Sequence, residues 1–359
     1  MTQYPQSSKK DLSGIRPDEV KVAVENASKK GEMVAESQHF KAVFAHLFNE
    51  FKKREGRYSP NTLRRLESAW GCFVSWCVSN TLHSMPASPE TVEKFFIFKS
   101  VSVHRNTLQV YKWAISRVHR ITGCPDPTKD IFVEDRIKEI VRTKVQAGES
   151  IKQASPFNEQ YLSRIVRKWR NHERVLNRRN VALLAVAYES MLRAQEVVNI
   201  KLQDIELVGD GTAVLTIPIT KTNHSGEPDT CILSADVVGL VLDYLEPDER
   251  NLTDDGWLFS GVSKHNKSIS NTKPLTTKTI EGVFKTAWVE LDLKRQGIRC
   301  FTAHSARVGA TQDLLKQGFN TLQIQQSGRW SSEIMVVRYG RAILARDSAM
   351  AKFRTQNKK

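Results

Sequence analysis

The sequence predicts a mainly α protein with a small antiparallel β-sheet, in two domains: an all-helical N-terminal domain and an α+β C-terminal domain. Three observations lead there. Apolar residues across 39–147 recur at three- and four-residue steps, with no strand-like alternation among them. Residues 148–156 (GESIKQASP) then lose all periodicity. Beyond them, two short β-type runs stand among further helical segments. The expected spans are a disordered arm at 1–37, a helical domain at 38–147, a linker at 148–156 and the second domain at 157–359.

Each element has its own signal. Residues 1–37 are rich in Lys, Ser and Glu and poor in aromatics, a composition that buries too little to fold. Phe40, Val43, Phe44, Leu47 and Phe51 then mark one face of a first helix. Ser59-Pro60-Asn61-Thr62 is a helix start, followed by Leu63, Leu66, Trp70, Phe73 and Cys77 on one face. Ser88-Pro89-Glu90 opens a third helix through Val92, Phe95, Phe96 and Phe98. A fourth runs over about 104–122 and stops at Gly123, and a fifth covers about 131–147. In the second domain, helices are expected near 158–170 and 177–190. Strands follow at 213–217 and 230–233, around a turn at Asn223-His224-Ser225-Gly226. Further helices fall near 235–246, 276–291, 304–317, 320–327, 332–339 and 343–353.

Composition narrows the function. The chain has 359 residues, 40% hydrophobic and 26% charged, as ordinary globular proteins do. Its net charge is 54 − 39 = +15. Residues 1–50 carry seven positive and seven negative side chains, whereas 51–120 carry twelve and four. The excess therefore sits on folded surface and favours a polyanionic partner, nucleic acid before membrane. The longest apolar run, VALLAVAY at 181–188, is too short to span a bilayer, and no signal peptide is expected at the N-terminus. Five cysteines, with no CxxC pair, point to a reduced intracellular protein without structural zinc.

The chemistry-bearing residues come in one ordered set. Arg193 and Glu196 lie in SMLRAQEV, Lys221 in IPITKT, His304 and Arg307 in AHSARVGA, Trp330 ends SGRW, and Tyr339 lies in VVRYGR. Singly, each has an ordinary reading: core Trp and Tyr, a solvated hairpin Lys, an Arg–Glu pair one helical turn apart. Together they suit phosphodiester cleavage. A Tyr hydroxyl is a nucleophile once positioned and deprotonated. Two guanidiniums bind developing charge on phosphate oxygens and keep their protons. His304 moves a proton, Trp330 donates to a phosphate oxygen, and Lys221 suits the acid that protonates the leaving 5′ oxygen. Glu196 is expected to orient His304 or an arginine.

This order resembles the tyrosine recombinase (phage integrase) family, most closely its Cre-like branch. SPNTLRRLESAW, HRITGCPDP and the AGE–KQA linker extend the likeness over about residues 40–345. The resemblance implies a helical core-binding domain and a catalytic domain that clamp double-stranded DNA at an inverted-repeat site. Tyr339 would form a 3′-phosphotyrosine without metal, ATP or other cofactor. A dimer on one site and a tetramer on two would exchange strands through a four-way (Holliday) junction. The helix expected at 343–353 would dock on a neighbouring protomer or fold back on its own domain. DNA-binding candidates are Arg105, Asn106, Gln109 and Lys112 on the fourth helix, with Leu108, Tyr111, Ile115 and Val118 behind. Arg64, Arg65, Lys278, Glu281 and Arg299 join them by resemblance. Two other readings stay open: a type IB topoisomerase-like relaxing enzyme, and a non-catalytic site-binding protein on the same fold.

Overall fold

In a computed structural model, the described residues are 38–53, 58–217, 227–269 and 273–348, with 16, 18–20, 22, 23, 26, 350, 353 and 354. The chain divides into two compact units, Met1–Ile151 and Lys152–Lys359.

The first unit is helical. Its helices are α1 (Gln38–Lys53), α2 (Pro60–Ser79), α3 (Pro89–Ser100), α4 (Arg105–Ile121) and α5 (Ile131–Gln146). Side-chain caps set their starts. Ser59 accepts from Thr62 N, Ser88 from Thr91 N and Asp130 from Phe132 N. Pro at the first turn of α2 and α3 supplies the preset φ. The apolar faces meet in one core in which Phe73, Phe95, Phe96, Leu108 and Ile115 are fully buried. Buried His119 accepts from Ala87 N at 3.0 Å through Nε2, and its Nδ1 lies 2.8 Å from Ile115 O. Burial holds its pKa down to about 4, so the ring is neutral and Nδ1 carries the proton. Most of the expected disordered arm lies outside the described residues. Within it, 18–20, 22, 23 and 26 are helical and Val20 is buried.

The second unit is built around α7. Its helices are α6 (Glu159–Trp169), α7 (Val175–Glu189), α8 (Ala194–Val198), α9 (Ala235–Leu245), α10 (Thr277–Glu290), α11 (Ser305–Lys316), α12 (Thr321–Ser327) and α13 (Ile334–Arg346). The apolar run 181–187 is buried throughout, which makes α7 the central helix. The strands are β1 (Ile205–Leu207), β2 (Ala213–Ile217) and β3 (Asp229–Leu233), antiparallel in the order β1-β2-β3. Leu215 pairs with Ile205 on one side and Cys231 on the other. Ala213, Leu215 and Ile217 point into the core, as a half-buried strand requires. The turn expected at 223–226 lies outside the described residues, and the description resumes at Glu227.

One expectation is corrected. Tyr339 and Ile343 do not belong to separate helices, because α13 runs unbroken through both. Ile343 and Leu344 pack against the cluster of Met191, Ala310, Leu315, Ile324 and Val336, in their own unit. Met350 and Phe353 are exposed.

Two glycines permit the close packing that brings the site together. A Cβ at Gly309 would collide with the carbonyl of Phe157, and one at Gly340 with the side chain of Leu315. Gly309 lets the chain entering α6 cross directly over α11, and Gly340 seats α13 on α11. The Phe157 obstacle is backbone and cannot rotate away. Gly309→Ala is therefore expected to lower unfolding stability by about 1–3 kcal/mol, the range for overpacking. Denaturant unfolding checks this, and an unchanged midpoint would contradict the close approach.

Candidate active site and nucleic-acid interface

Arg307 anchors the site. It lies in the first turn of α11 and is 1% exposed. Its guanidinium donates to Met191 O, and to Gly328 O at 2.8 Å. Those carbonyls belong to the loop before α8 and the turn after α12. Its Cζ lies 4.8 Å from the centre of the Trp330 ring, within cation–π range. Buried Nε has no partner among the described residues. Burial and neighbouring Arg193 pull its pKa down to about 10, so it stays charged at neutral pH.

Arg193 is the N-cap residue of α8. Glu196, one turn on, grips it twice: Oε2 accepts from Arg193 N at 2.7 Å and Oε1 from Nη1 at 2.8 Å. The Glu196 side chain is 8% exposed and that of Arg193 is 41% exposed. The carboxylate is thus a buried brace, and the guanidinium keeps open donors. Of the two partners expected for Glu196, the structure places the arginine against it.

His304 precedes α11, and Tyr339 lies in α13. His304 Nε2 and the Tyr339 hydroxyl are hydrogen-bonded, with ring centres 5.4 Å apart. Trp330 packs edge-on against Tyr339 at 5.7 Å. Desolvation, then Arg307, Arg193 and Arg338, hold the His304 pKa down to about 4. Burial raises the Tyr339 pKa, while Arg307, Arg338 and Arg193 oppose that rise. Near neutral pH the phenol is therefore protonated and the imidazole neutral. The phenol donates, and Nε2 accepts along the path by which the proton can leave.

Six of the seven expected catalytic residues thus share one site; the seventh, Lys221, lies outside the described residues. The site joins two open or partly unpartnered guanidiniums with one compensating carboxylate. Such an arrangement suits an anion with several oxygens.

The structure adds residues that the motif reading passed over. Arg329 donates to Ser190 O at 2.8 Å, beside the Met191 carbonyl that Arg307 holds. Met191 and Arg329 each have φ of 51°, a left-handed conformation that non-glycine residues rarely adopt. Both arginines therefore fasten strained backbone at the site, where such strain tends to collect. The adjacency of Arg329 to Trp330 in SGRW was the available signal.

The expected DNA-facing residues divide. Arg65, Asn106 and Gln109 line one surface pocket with Thr62, Val110 and Trp113. Arg64 is exposed nearby in sequence and bonds Asn61 at 2.6 Å. Arg105 and Lys112 do not join that pocket. Arg105 is tied to Glu149, through its backbone N–H at 3.0 Å and through its guanidinium. Lys112 pairs with Glu134 of α5 at 3.2 Å. In the second unit, Lys278 and Glu281 are exposed on α10, whose Ile280, Val283, Phe284 and Ala287 face the core. Glu281 also accepts from Ala303 N at 2.7 Å, next to His304. Arg299 donates to Gln153 O at 2.8 Å. Among the described residues, no helix is long and apolar enough to cross a membrane.

Comparison with known proteins bears on this site. The family model described as the phage integrase family matches residues 155–343. The chain is 28% identical over 316 residues to the curated protein "Recombinase cre" of Escherichia phage P1, covering 86% of this chain and 92% of that one. Solved structures share the fold. One is Tn1549 transposon integrase in complex with transposon right end DNA, with TM-score 0.55, 11% identity, and coverage of 84% of this chain and 98% of that one. Another is XerH site-specific recombinase bound to palindromic difH substrate, with TM-score 0.51, 15% identity, and coverage of 72% and 70%.

The electrostatics make a pH prediction. A folded His304 pKa near 4, against 6.5 for the free side chain, favours proton binding to the unfolded chain. Its contribution to stability is thus present above pH 6.5 and lost as pH falls through about 4. An anion seated on Arg193 and Arg307 offsets their charge and should raise the His304 pKa. NMR titration of the ring should show a midpoint near 4 that moves upward with orthovanadate. A midpoint near 6.5, indifferent to vanadate, would contradict this picture.

Proposed function

The chain belongs to the phage integrase family, and from that premise we propose that it is a site-specific tyrosine recombinase. It binds a short inverted-repeat DNA site, then cuts, exchanges and rejoins strands by way of a four-way junction. The observation that carries this reading is the Tyr339 hydroxyl bonded to His304, beside Arg193 and Arg307. The recombinase name of the curated relative, which spans most of both chains, supports the same substrate class.

Each residue then has a task. Arg193 and Arg307 bind the non-bridging oxygens of the scissile phosphate, whose charge grows in the transition state. Trp330 donates its indole N–H to the same group. Tyr339 Oη attacks phosphorus and its proton passes to His304 Nε2. The new O–P bond forms as the P–O5′ bond breaks. Lys221, four residues beyond the end of β2, protonates the departing oxygen. The products are a 3′-phosphotyrosine and a free 5′ hydroxyl. The ester keeps the bond energy, so a 5′ hydroxyl of another strand can reverse the step without ATP. Neither proton transfer nor charge stabilisation here requires a metal ion. Two protomers occupy one site, and four bring two sites together. Lys278 and Glu281 read bases, since Lys can reach guanine and Glu can accept from cytosine N4.

Covalent capture tests the reading. The protein is incubated in EDTA with nicked duplexes carrying randomised inverted repeats, denatured, and only attached DNA is sequenced. A shared palindrome, absent with Tyr339→Phe, is the expected result, and the variant should still bind DNA. Attached DNA without a common sequence would favour a topoisomerase. Tight binding without attachment would favour a non-catalytic binder. Lys278→Ala or Glu281→Ala should relax preference at one or two bases, by about 1–3 kcal/mol for a direct contact. Binding competition across single-base variants checks this, and a uniform loss would show that these side chains touch only phosphate.

A further inference from the structure

The roles above leave one cluster unused, and it holds the other end of the nucleophile. The Tyr339 carbonyl accepts from Gln312 Nε2 at 3.1 Å and from Gln153 Nε2 at 3.2 Å. The donors come from different places. Gln312 lies on α11, the helix that carries Arg307. Gln153 precedes α6, beside the start of the second unit at Lys152. The Gln153 carbonyl in turn accepts from Arg299 Nη2 at 2.8 Å. A strap therefore runs from Arg299 through Gln153 to the backbone of Tyr339. The tyrosine is fixed at its hydroxyl by His304 and at its carbonyl by two amides. Gly340, adjacent, keeps α13 too close to Leu315 for the helix to roll freely.

We propose that Gln153 is a positioning residue for the nucleophile, held by Arg299, which acts here as a brace. The inference rests on the reading of Tyr339 as nucleophile. With Gln312, Gln153 sets the rotation of α13 about its axis and so the reach of the hydroxyl. A small rotation of the helix moves the phenol out of line with His304, and misplacement by about an ångström can cost a hundredfold in rate.

The test uses the full chain and three readouts. With 3-fluorotyrosine in place of Tyr339, the ¹⁹F resonance of the free protein reports the ring's surroundings without any reaction. Single-turnover attachment to nicked duplexes recovered by covalent capture reports chemistry, and titration of the same duplexes reports affinity. Gln153→Ala removes the amide. Gln153→Glu keeps its size but cannot donate near neutral pH. Both should shift and broaden the resonance and slow attachment about tenfold, roughly the worth of one hydrogen bond, with affinity unchanged. Arg299→Ala should act in the same direction. An unmoved resonance in both Gln153 variants would overturn the strap, and so would Gln153→Glu behaving as the unaltered chain. Failure of the unaltered chain to attach any DNA would instead overturn the nucleophile assignment itself.

Discussion

A buried guanidinium organises the second unit. Arg307 is almost wholly removed from water, yet it stays charged at neutral pH. Leaving such a charge without partners would cost several kcal/mol. Two carbonyls meet that need, and they come from the turns that carry Arg193 and Trp330. One side chain therefore draws three segments, far apart in sequence, around a single point. Arg329 repeats the device at Ser190 and reinforces it. The left-handed backbone at Met191 and Arg329 is the conformational cost of presenting those carbonyls.

The chemistry follows from what Arg307 leaves over. Its Nε, the open Arg193 guanidinium and nearby Arg338 make the site strongly cationic, with Glu196 as a buried counterweight. The cations push protons off His304 and oppose the rise that burial imposes on Tyr339. The Tyr339 phenol and His304 are hydrogen-bonded and the proton stays on the phenol. In the proposed reaction an arriving phosphate would supply the missing negative charge and make a protonated His304 tolerable, so substrate binding and base competence would be linked by the same electrostatics.

Much of this is legible in the sequence. Apolar periodicity and the Ser-Pro starts mark α2 and α3, because caps and fixed φ are local chemistry. Residue type and resemblance single out the ordered set from Arg193 to Tyr339 ahead of any geometry; the fold gathers six of the seven in one place, and Lys221 lies outside the described residues. Other features are not local. β1 and α8 span only three and five residues, too short for periodicity to register. The continuity of α13 through Gly340 depends on α11 packing beside it, which outweighs glycine's weak helix preference. Arg105 and Lys112 look like a basic reading face in the sequence. Their partners Glu149 and Glu134 lie 44 and 22 residues away, and only tertiary contact reveals the pairing. Gln153 stands in the KQA of the linker and Gln312 in no motif, but neither position signals its bond, since amides bound to a helix carbonyl are recognisable only in three dimensions.

The most direct measurement locates the covalent bond. Protein trapped on a nicked duplex is digested with protease and nuclease, and mass spectrometry identifies the side chain that carries the residual nucleotide phosphate. The proposed chemistry puts it on Tyr339 and nowhere else. A phosphorylated Ser, His or other Tyr would contradict that chemistry, because it is the Tyr339 hydroxyl that combines the His304 contact with the field of Arg307, Arg338 and Arg193.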